Sequence, residues 1–367
     1  MSNAKSTHQH GGDLYAIEQK YNIPKSDIID FSGNINPLGF PSGIKKLLSD
    51  NIDLVCIYPD KNYTALKESI SIYTGADIEN IAVGNGSTEL ISAFIKSICP
   101  KKAIILGPAY SEYENELKKI GSSFDYFPLD EKDDFVLQTK KLLNVLTEDI
   151  DFFVACNPNN PTGTVIEASQ MDIIAMHCKK NSISIMIDET YIEFCDDINK
   201  VCSIPLTKAY DNIFVIRGIS KFFAAPGIRL GYGITSNKGF HNLLTYIQDP
   251  WSVNILAAFS GEHLFTDKRF IEETCSLIST ERIRILNELK TWKNIKTYPS
   301  SSNFILVKLL NNRIKSSEIF HNLIRKKLLI RDAESFTFLD SSYIRFCILS
   351  PQKNQMLIES LKEIIEN

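Results

Sequence analysis

Residues 213–235 read IFVIRGISKFFAAPGIRLGYGIT. The run IFVI (213–216) has the unbroken apolar character of a strand buried on both faces. Lys221 stands just beyond its end, Arg229 follows eight residues on, and glycines lie between and after them. An ordinary surface lysine needs no such company, so the stretch poses a chemical question as well as a structural one.

Working outward, the same kind of apolar run recurs as IAV (81–83), AIILG (103–107), FFVAC (152–156), ISIMI (183–187) and GYGIT (231–235). Between these runs lie segments of helical periodicity such as TELISAFIKSI (88–98) and ASQMDIIAMHCKK (168–180). Alternating strands and helices predict an α/β layer with a mostly parallel central sheet covered on both faces, spanning residues 50–245. After residue 245 the pattern changes to long helical stretches (253–292), then the strand-like SNFILVKL (302–309) and SYIRFCIL (342–349), and a helical tail. We expect residues 246–367 to form a smaller α+β domain, to which residues 1–49 return as an N-terminal arm.

Composition narrows the function classes. The 367 residues are 44% hydrophobic and 23% charged, with a net charge of −4 and lysines interspersed with acids. That balance gives no electrostatic reason to expect nucleic acid or an anionic membrane, and favours a small-molecule ligand. Eight cysteines without a CxxC pair predict neither a metal site nor a disulfide framework, and reduced core thiols fit a cytoplasmic protein. The polar first residues lack an apolar leader core, and no apolar stretch reaches the length of a membrane span.

In open α/β sheets ligands lie at the carboxyl ends of the strands. There the sequence places GNGSTE (84–89), GPAY (107–110), NPNNPTG (157–163), DETY (188–191) and Lys221. GNGSTE can expose helix N-terminal amides to an anion, or simply begin a helix with Ser87 or Thr88 as its cap. NPNNPTG reads as a tight loop, or as a loop that presents Asn160 to a phenolate oxygen. Asp188 could cap the next helix, or keep a ring nitrogen protonated through a charge-assisted hydrogen bond. Lys221 alone would be a solvated lysine and Arg229 a salt-bridge partner. Together, a lysine for an aldehyde, an arginine for a phosphate, an aspartate for a pyridine and Tyr110 to stack on the ring meet the needs of pyridoxal phosphate.

The order of these motifs resembles the fold-type-I pyridoxal-phosphate enzymes of the aminotransferase class, and the resemblance spans most of the chain. It implies the aspartate-aminotransferase fold, with Lys221 joined to the cofactor aldehyde and Asp188 on the pyridine nitrogen. It also implies Asn160 and Tyr191 on the phenolic oxygen, Tyr110 stacked on the ring, and Ser87, Thr88 and Arg229 at the phosphate. One departure stands out: Gly218 occupies a position where the family usually has a serine or threonine, so Ser220 or a water would supply that bond. Loss of one such bond weakens cofactor binding by about 1 kcal/mol, or about twice that to a charged group.

Within the class, His10-Gly11-Gly12, DFSGNINPLG (30–39), Pro226, PWSVN (250–254) and LIRDAESFTFLDSSYIRF (329–346) resemble the threonine-phosphate decarboxylases of cobalamin synthesis. The resemblance implies a phosphorylated amino acid as substrate, with Arg345 at its carboxylate. His10, Gly11, Asn34 and Arg331 would surround its phosphate. Taken singly, His10 would be a mobile arm, and Arg331 with Asp332 a local ion pair contributing little. Tyr191 points instead to histidinol-phosphate or related aminotransferases, since those decarboxylases tend to have phenylalanine there. A ligand-sensing domain of a transcription regulator is the non-enzymatic alternative, and the first fifty residues show no basic helix-turn-helix pattern for it. Tyr58 matches a tyrosine that reaches a neighbouring subunit's cofactor phosphate in this class, which implies a homodimer with shared sites.

Overall fold

A computed structural model describes residues 11–311 and 313–366. The predicted α/β layer is a seven-stranded sheet in the order β2 (Ile81–Gly84), β8 (Gly231–Ile234), β7 (Ile213–Gly218), β6 (Ser184–Asp188), β5 (Phe152–Cys156), β3 (Lys102–Gly107) and β4 (Ser123–Pro128). Strands β7, β6, β5, β3 and β4 run parallel, while β8 is antiparallel to both β7 and β2. Central strands β5 and β7 are buried along their whole length, which explains their unbroken apolar runs. This is the mostly parallel sheet expected for the fold-type-I class.

Helices α3 (Thr64–Thr74), α4 (Ser87–Ile98), α5 (Ser111–Lys119), α6 (Thr139–Leu143), α7 (Ala168–Lys180) and α8 (Lys238–Ile247) accompany these strands. On α4 the apolar residues Leu90, Ile91, Phe94 and Ile95 share one face at helical spacing and are buried. Phe94 stacks on Phe214 of β7 with ring centroids 4.5 Å apart, fixing the helix over the sheet. Beyond α8 come α9 (Ile255–Leu264) and the 22-residue α10 (Lys268–Leu289), both started by side-chain caps, Asn254 and Asp267.

The C-terminal part has an antiparallel sheet in the order β12 (Arg331–Asp332), β13 (Tyr343–Cys347), β10 (Phe304–Leu309) and β9 (Ile295–Thr297), flanked by α11 (Ser316–Arg325) and α12 (Pro351–Ile365). The N-terminal arm carries α1 (Leu14–Tyr21), β1 (Ile29–Asp30) and α2 (Ser42–Asp50). Its strand β1 pairs in parallel with β11 (Leu328–Leu329). Phe31 then bonds to Leu329 through its N–H and to Cys347 through its carbonyl, so residues 32–36 run across the mouth of the large sheet. That crossing decides which N-terminal residues can reach the strand ends. Among the described residues no helix is long and apolar enough to cross a membrane, and no His, Cys, Asp and Glu cluster could hold a metal.

Candidate active site

The carboxyl ends of β2, β3, β5, β6 and β7 open into a cavity of about 240 Å³, closed above by residues 32–34, Arg331 and Arg345. Its first part is an anion cradle. Helix α4 begins at Ser87 with Gly86 as cap residue, and no side chain caps it. Of the two sequence readings, a capped ordinary turn and an exposed amide end, the second is the one observed. Gly86 has φ +81°, and a Cβ there would lie 2.3 Å from Arg229 Nη2, so the glycine is what allows the guanidinium to close over the helix start. Arg229 itself has φ +65° and donates to the carbonyl of Asn85 at 3.4 Å. Gly231 is equally constrained, because a Cβ would lie 2.4 Å from the Ser87 amide. At Gly218 the nearest atoms to a Cβ are Leu230 O at 3.5 Å and Ser87 Cβ at 3.7 Å, which is ordinary contact. Ser220 lines the same cavity.

The second part suits a flat heteroaromatic ring. Asp188 ends β6, is buried, and accepts hydrogen bonds from Thr190 N (3.0 Å) and Thr190 Oγ1 (2.5 Å) on Oδ1 and from Tyr113 OH (2.7 Å) on Oδ2. These bonds close a local turn onto Thr190 and do not cap the following short helix, whose cap residue is Tyr191, and one Oδ2 acceptor position remains for a cavity N–H. Burial and the Asp188 charge push the Tyr113 phenol well above its ordinary value, so it stays a donor. In the 157–163 loop, Asn157 spends its side chain on the Ile166 backbone just beyond the loop, and Asn159 on Thr162 and on Pro108 O. Asn160 instead lines the cavity, its Oδ1 accepting from Arg345 Nη1, which leaves its amide N–H to offer a ring oxygen. Tyr191 OH accepts from Asn34 Nδ2 at 3.3 Å, and burial raises its pKa, keeping the phenol protonated. Tyr110 borders the cavity at the end of β3, its phenol raised to about 12 by burial first and nearby carboxylates second.

The third part is cationic. Lys221 Nζ donates to the Gly33 carbonyl at 2.8 Å. Burial, then the charge of Arg345, lowers its pKa to about 8, which gives a share of neutral, nucleophilic amine near neutral pH. Arg345, buried on β13, donates to Ser32 O at 2.7 Å as well as to Asn160. Arg331 faces it directly across the β12–β13 pair. Its guanidinium donates to Ser335 Oγ at 2.6 Å and lies over the Phe336 ring, instead of forming only a local pair with Asp332.

Thus Lys221, Ser87, Thr88, Tyr110, Asn160, Asp188, Tyr191, Ser220, Arg229, Gly11, Asn34, Arg331 and Arg345 all border one cavity. Tyr58 does not: it is 76% exposed and its ring packs on Trp251 at 4.6 Å. His10 lies outside the described residues. Sequence reasoning missed Tyr113, Thr190, Ser32 and Ser335. Tyr113 and Thr190 were within reach, since both lie within three residues of a flagged side chain at a strand end. The donor set fits pyridoxal phosphate: an arginine beside uncapped helix amides, a carboxylate with one open acceptor, two donors for a ring oxygen and a lysine of lowered pKa converge on one cavity.

Comparison with known proteins agrees. A profile of the family "Aminotransferase class I and II" matches residues 26–361. A provisionally named threonine-phosphate decarboxylase of Caldanaerobacter subterraneus subsp. tengcongensis is 38% identical over 98% of this chain and 94% of its own. The threonine-phosphate decarboxylase of Salmonella typhimurium is 33% identical over 97% of this chain and 96% of its own. The crystal structure of the histidinol-phosphate aminotransferase from Clostridium acetobutylicum superposes with a TM-score of 0.86 at 33% identity, covering 92% of this chain and 99% of that one.

Proposed function

Because the chain belongs to the aminotransferase class I and II family, whose cofactor is pyridoxal phosphate, we propose that it is a lyase that decarboxylates a phosphorylated amino acid. The substrate we assign is O-phospho-L-threonine, and the products are carbon dioxide and 1-amino-2-propanol phosphate, destined for cobalamin synthesis. The relatives named threonine-phosphate decarboxylase, similar along nearly the whole chain, support this reading.

The observation that carries it is the placement of Arg331 and Arg345 opposite each other across one strand pair. Like charges in direct cross-strand register are unfavourable. Burial and the Arg345 charge push Arg331 down to about 10, so both remain cationic at neutral pH. An arrangement that unfavourable in isolation suits a substrate carrying two anions. Arg345, with Asn160, would hold the carboxylate; Arg331, with Ser335, Asn34, Gly11 and His10, would hold the phosphate.

Bound in the cavity, pyridoxal phosphate supplies an electron sink for the pair left on Cα when the carboxylate departs. The chain does the rest. Arg229, Ser87, Thr88, Ser220 and the α4 amides would anchor the cofactor phosphate. Asp188, held by Tyr113 and Thr190, would keep a ring nitrogen protonated, and Tyr191 and Asn160 would donate to the ring oxygen. Tyr110 would pack on the ring face. Lys221 would hold the cofactor through its aldehyde carbon, and its Nζ, in protonated form, could deliver the proton that replaces carbon dioxide on Cα. The two arginines would hold the substrate's two anions apart, and a cofactor bound there would weaken whichever Cα bond that hold selects; in the proposed reaction this is the bond to the carboxylate.

We further propose a cytoplasmic homodimer in which Tyr58 reaches across to the partner's cofactor phosphate. The exposed Val55, Ile57, Tyr58 and Trp251 lie in or beside one surface segment that a second copy would cover. The two-domain division, 50–245 against 1–49 with 246–367, follows the separate large and small sheets. Tyr191 favours the second reading, aminotransfer of histidinol-phosphate type.

Substrate comparison tests the proposal. O-phospho-L-threonine should be turned over with a kcat/KM at least about a hundredfold above L-threonine, the span expected when buried cations lose their anion. Arg331→Gln should erase most of that ratio by raising KM. Equal use of both substrates, or turnover of histidinol phosphate with 2-oxoglutarate instead, would overturn it.

A further inference from the structure

The segment DFSGNINPLG carries a second buried asparagine that the reaction scheme leaves unused. Asn36 is buried, and its bonds go to two other parts of the chain. Its amide N–H donates to the Lys221 carbonyl at 3.0 Å, and its side-chain Nδ2 donates to the Phe222 carbonyl at 2.6 Å. Two successive carbonyls of the lysine-bearing turn are therefore held by one residue. The same Nδ2 donates to Thr274 Oγ1 at 2.8 Å, and Thr274 is fully buried on the long helix α10. Asn36 Oδ1 closes its own loop by accepting from Leu38 N at 3.0 Å. Three residues earlier, Gly33 O accepts from Lys221 Nζ. Residues 33–36 thus grip Lys221 at the tip of its side chain and at its backbone.

We propose that Asn36 is a positioning residue for Lys221, locking the lysine turn to both the N-terminal segment and α10 so that the amine and the cavity-lining residues 32–34 keep one fixed geometry. A buried side chain with every donor engaged fixes a turn more firmly than the apolar packing around it, because each bond lost leaves a buried carbonyl unpaired. A lysine that must first capture an aldehyde and later protonate Cα gains from such fixing, since a displacement of about 1 Å can lower a rate about a hundredfold. The inference rests on the reading of Lys221 as the reacting amine.

The test reads Lys221 itself. In the full chain freed of cofactor, the pH dependence of Lys221 acetylation by acetic anhydride, followed on its peptide by mass spectrometry, reports its proton affinity. Burial and Arg345 lower that affinity, while Asp30, Cys347 and Asp188 raise it. Asn36→Ala, by loosening the turn and admitting water, should move the labelling midpoint up by about half a pH unit or more, toward the ordinary lysine value. In the holoenzyme it should lower kcat about tenfold with KM nearly unchanged. Thr274→Val, which removes only the helix end of the tie, should shift the midpoint the same way by less, and serves if Asn36→Ala does not fold. A lowered melting temperature with an unmoved midpoint and an unmoved kcat in both variants would overturn the proposal. Borohydride reduction of the holoenzyme and peptide mapping separates the two levels. Cofactor on a lysine other than Lys221 would refute the site reading, whereas cofactor on Lys221 with no shift in either variant would refute the role of Asn36 alone.

Discussion

Gly218 stands where the resemblance implies a serine or threonine at the cofactor phosphate, and the structure makes that expectation testable. A Cβ at this position meets only ordinary contacts, and Ser87 Oγ lies 3.8 Å away, so a serine fits without moving the β7 end. Gly218→Ser should add a hydroxyl beside the anion cradle and tighten pyridoxal phosphate binding about fivefold, the equivalent of about 1 kcal/mol. Absorbance titration of the cofactor-free protein measures it, and unchanged or weaker binding would show that position 218 does not face the phosphate. At this scale Tyr110, Asn160, Asp188 and Lys221 were legible because each is a chemically capable side chain at or just beyond the end of a strand. Asn36 and Ser335 were not, since an asparagine in a Pro-containing turn and a serine beside an acid are ordinary turn residues. Their partners, Thr274 and Arg331, are disclosed only by folding.

Among the elements, β5, β6 and β7 announced themselves by unbroken apolar runs, which both-face burial demands. Strand β4 did not: as the sheet edge it exposes Ser123, Asp125 and Pro128 between better-covered residues, and SFDYFP carries no apolar run to find. The two-residue strands β1, β11 and β12 are below any periodicity, so the arm's return to the C-terminal sheet was readable only as a general expectation. Behind β6, β7 and β8 the elements bury charge: Arg217 of β7 pairs with Glu189 at 2.8 Å, while Glu193 lies close by, its Oε2 without a hydrogen-bond partner among the described residues. Burial raises the Glu193 carboxyl to about 7, against an ordinary 4.5. The folded state therefore holds a proton that the unfolded chain releases between about pH 4.5 and 7. Stability falls as pH rises through that window and stays low above it. Glu193→Gln should raise the melting temperature at pH 8 and do little at pH 5; an equal effect at both would show that the carboxyl does not titrate there.

At the scale of the whole molecule, the cavity is assembled from three chain regions that meet only in the fold: the strand ends, residues 32–34 and the β12–β13 pair. In the homodimer proposed above, the exposed Tyr58 and Trp251 would face the second copy. Sedimentation should give twice the mass of one chain, and Tyr58→Phe should weaken cofactor binding about fivefold through loss of one phosphate hydrogen bond while leaving that mass unchanged. A monomer with full cofactor affinity would contradict the shared site.

The choice between breaking Cα–COO⁻ and Cα–H is the central claim, and one measurement addresses it. The cofactor-loaded protein is incubated with O-phospho-L-threonine and no keto acid, and carbon dioxide release is followed together with the form of the cofactor. The account predicts many equivalents of carbon dioxide per site with the cofactor remaining in its aldehyde form. A single equivalent of amine-form cofactor and no carbon dioxide would contradict it.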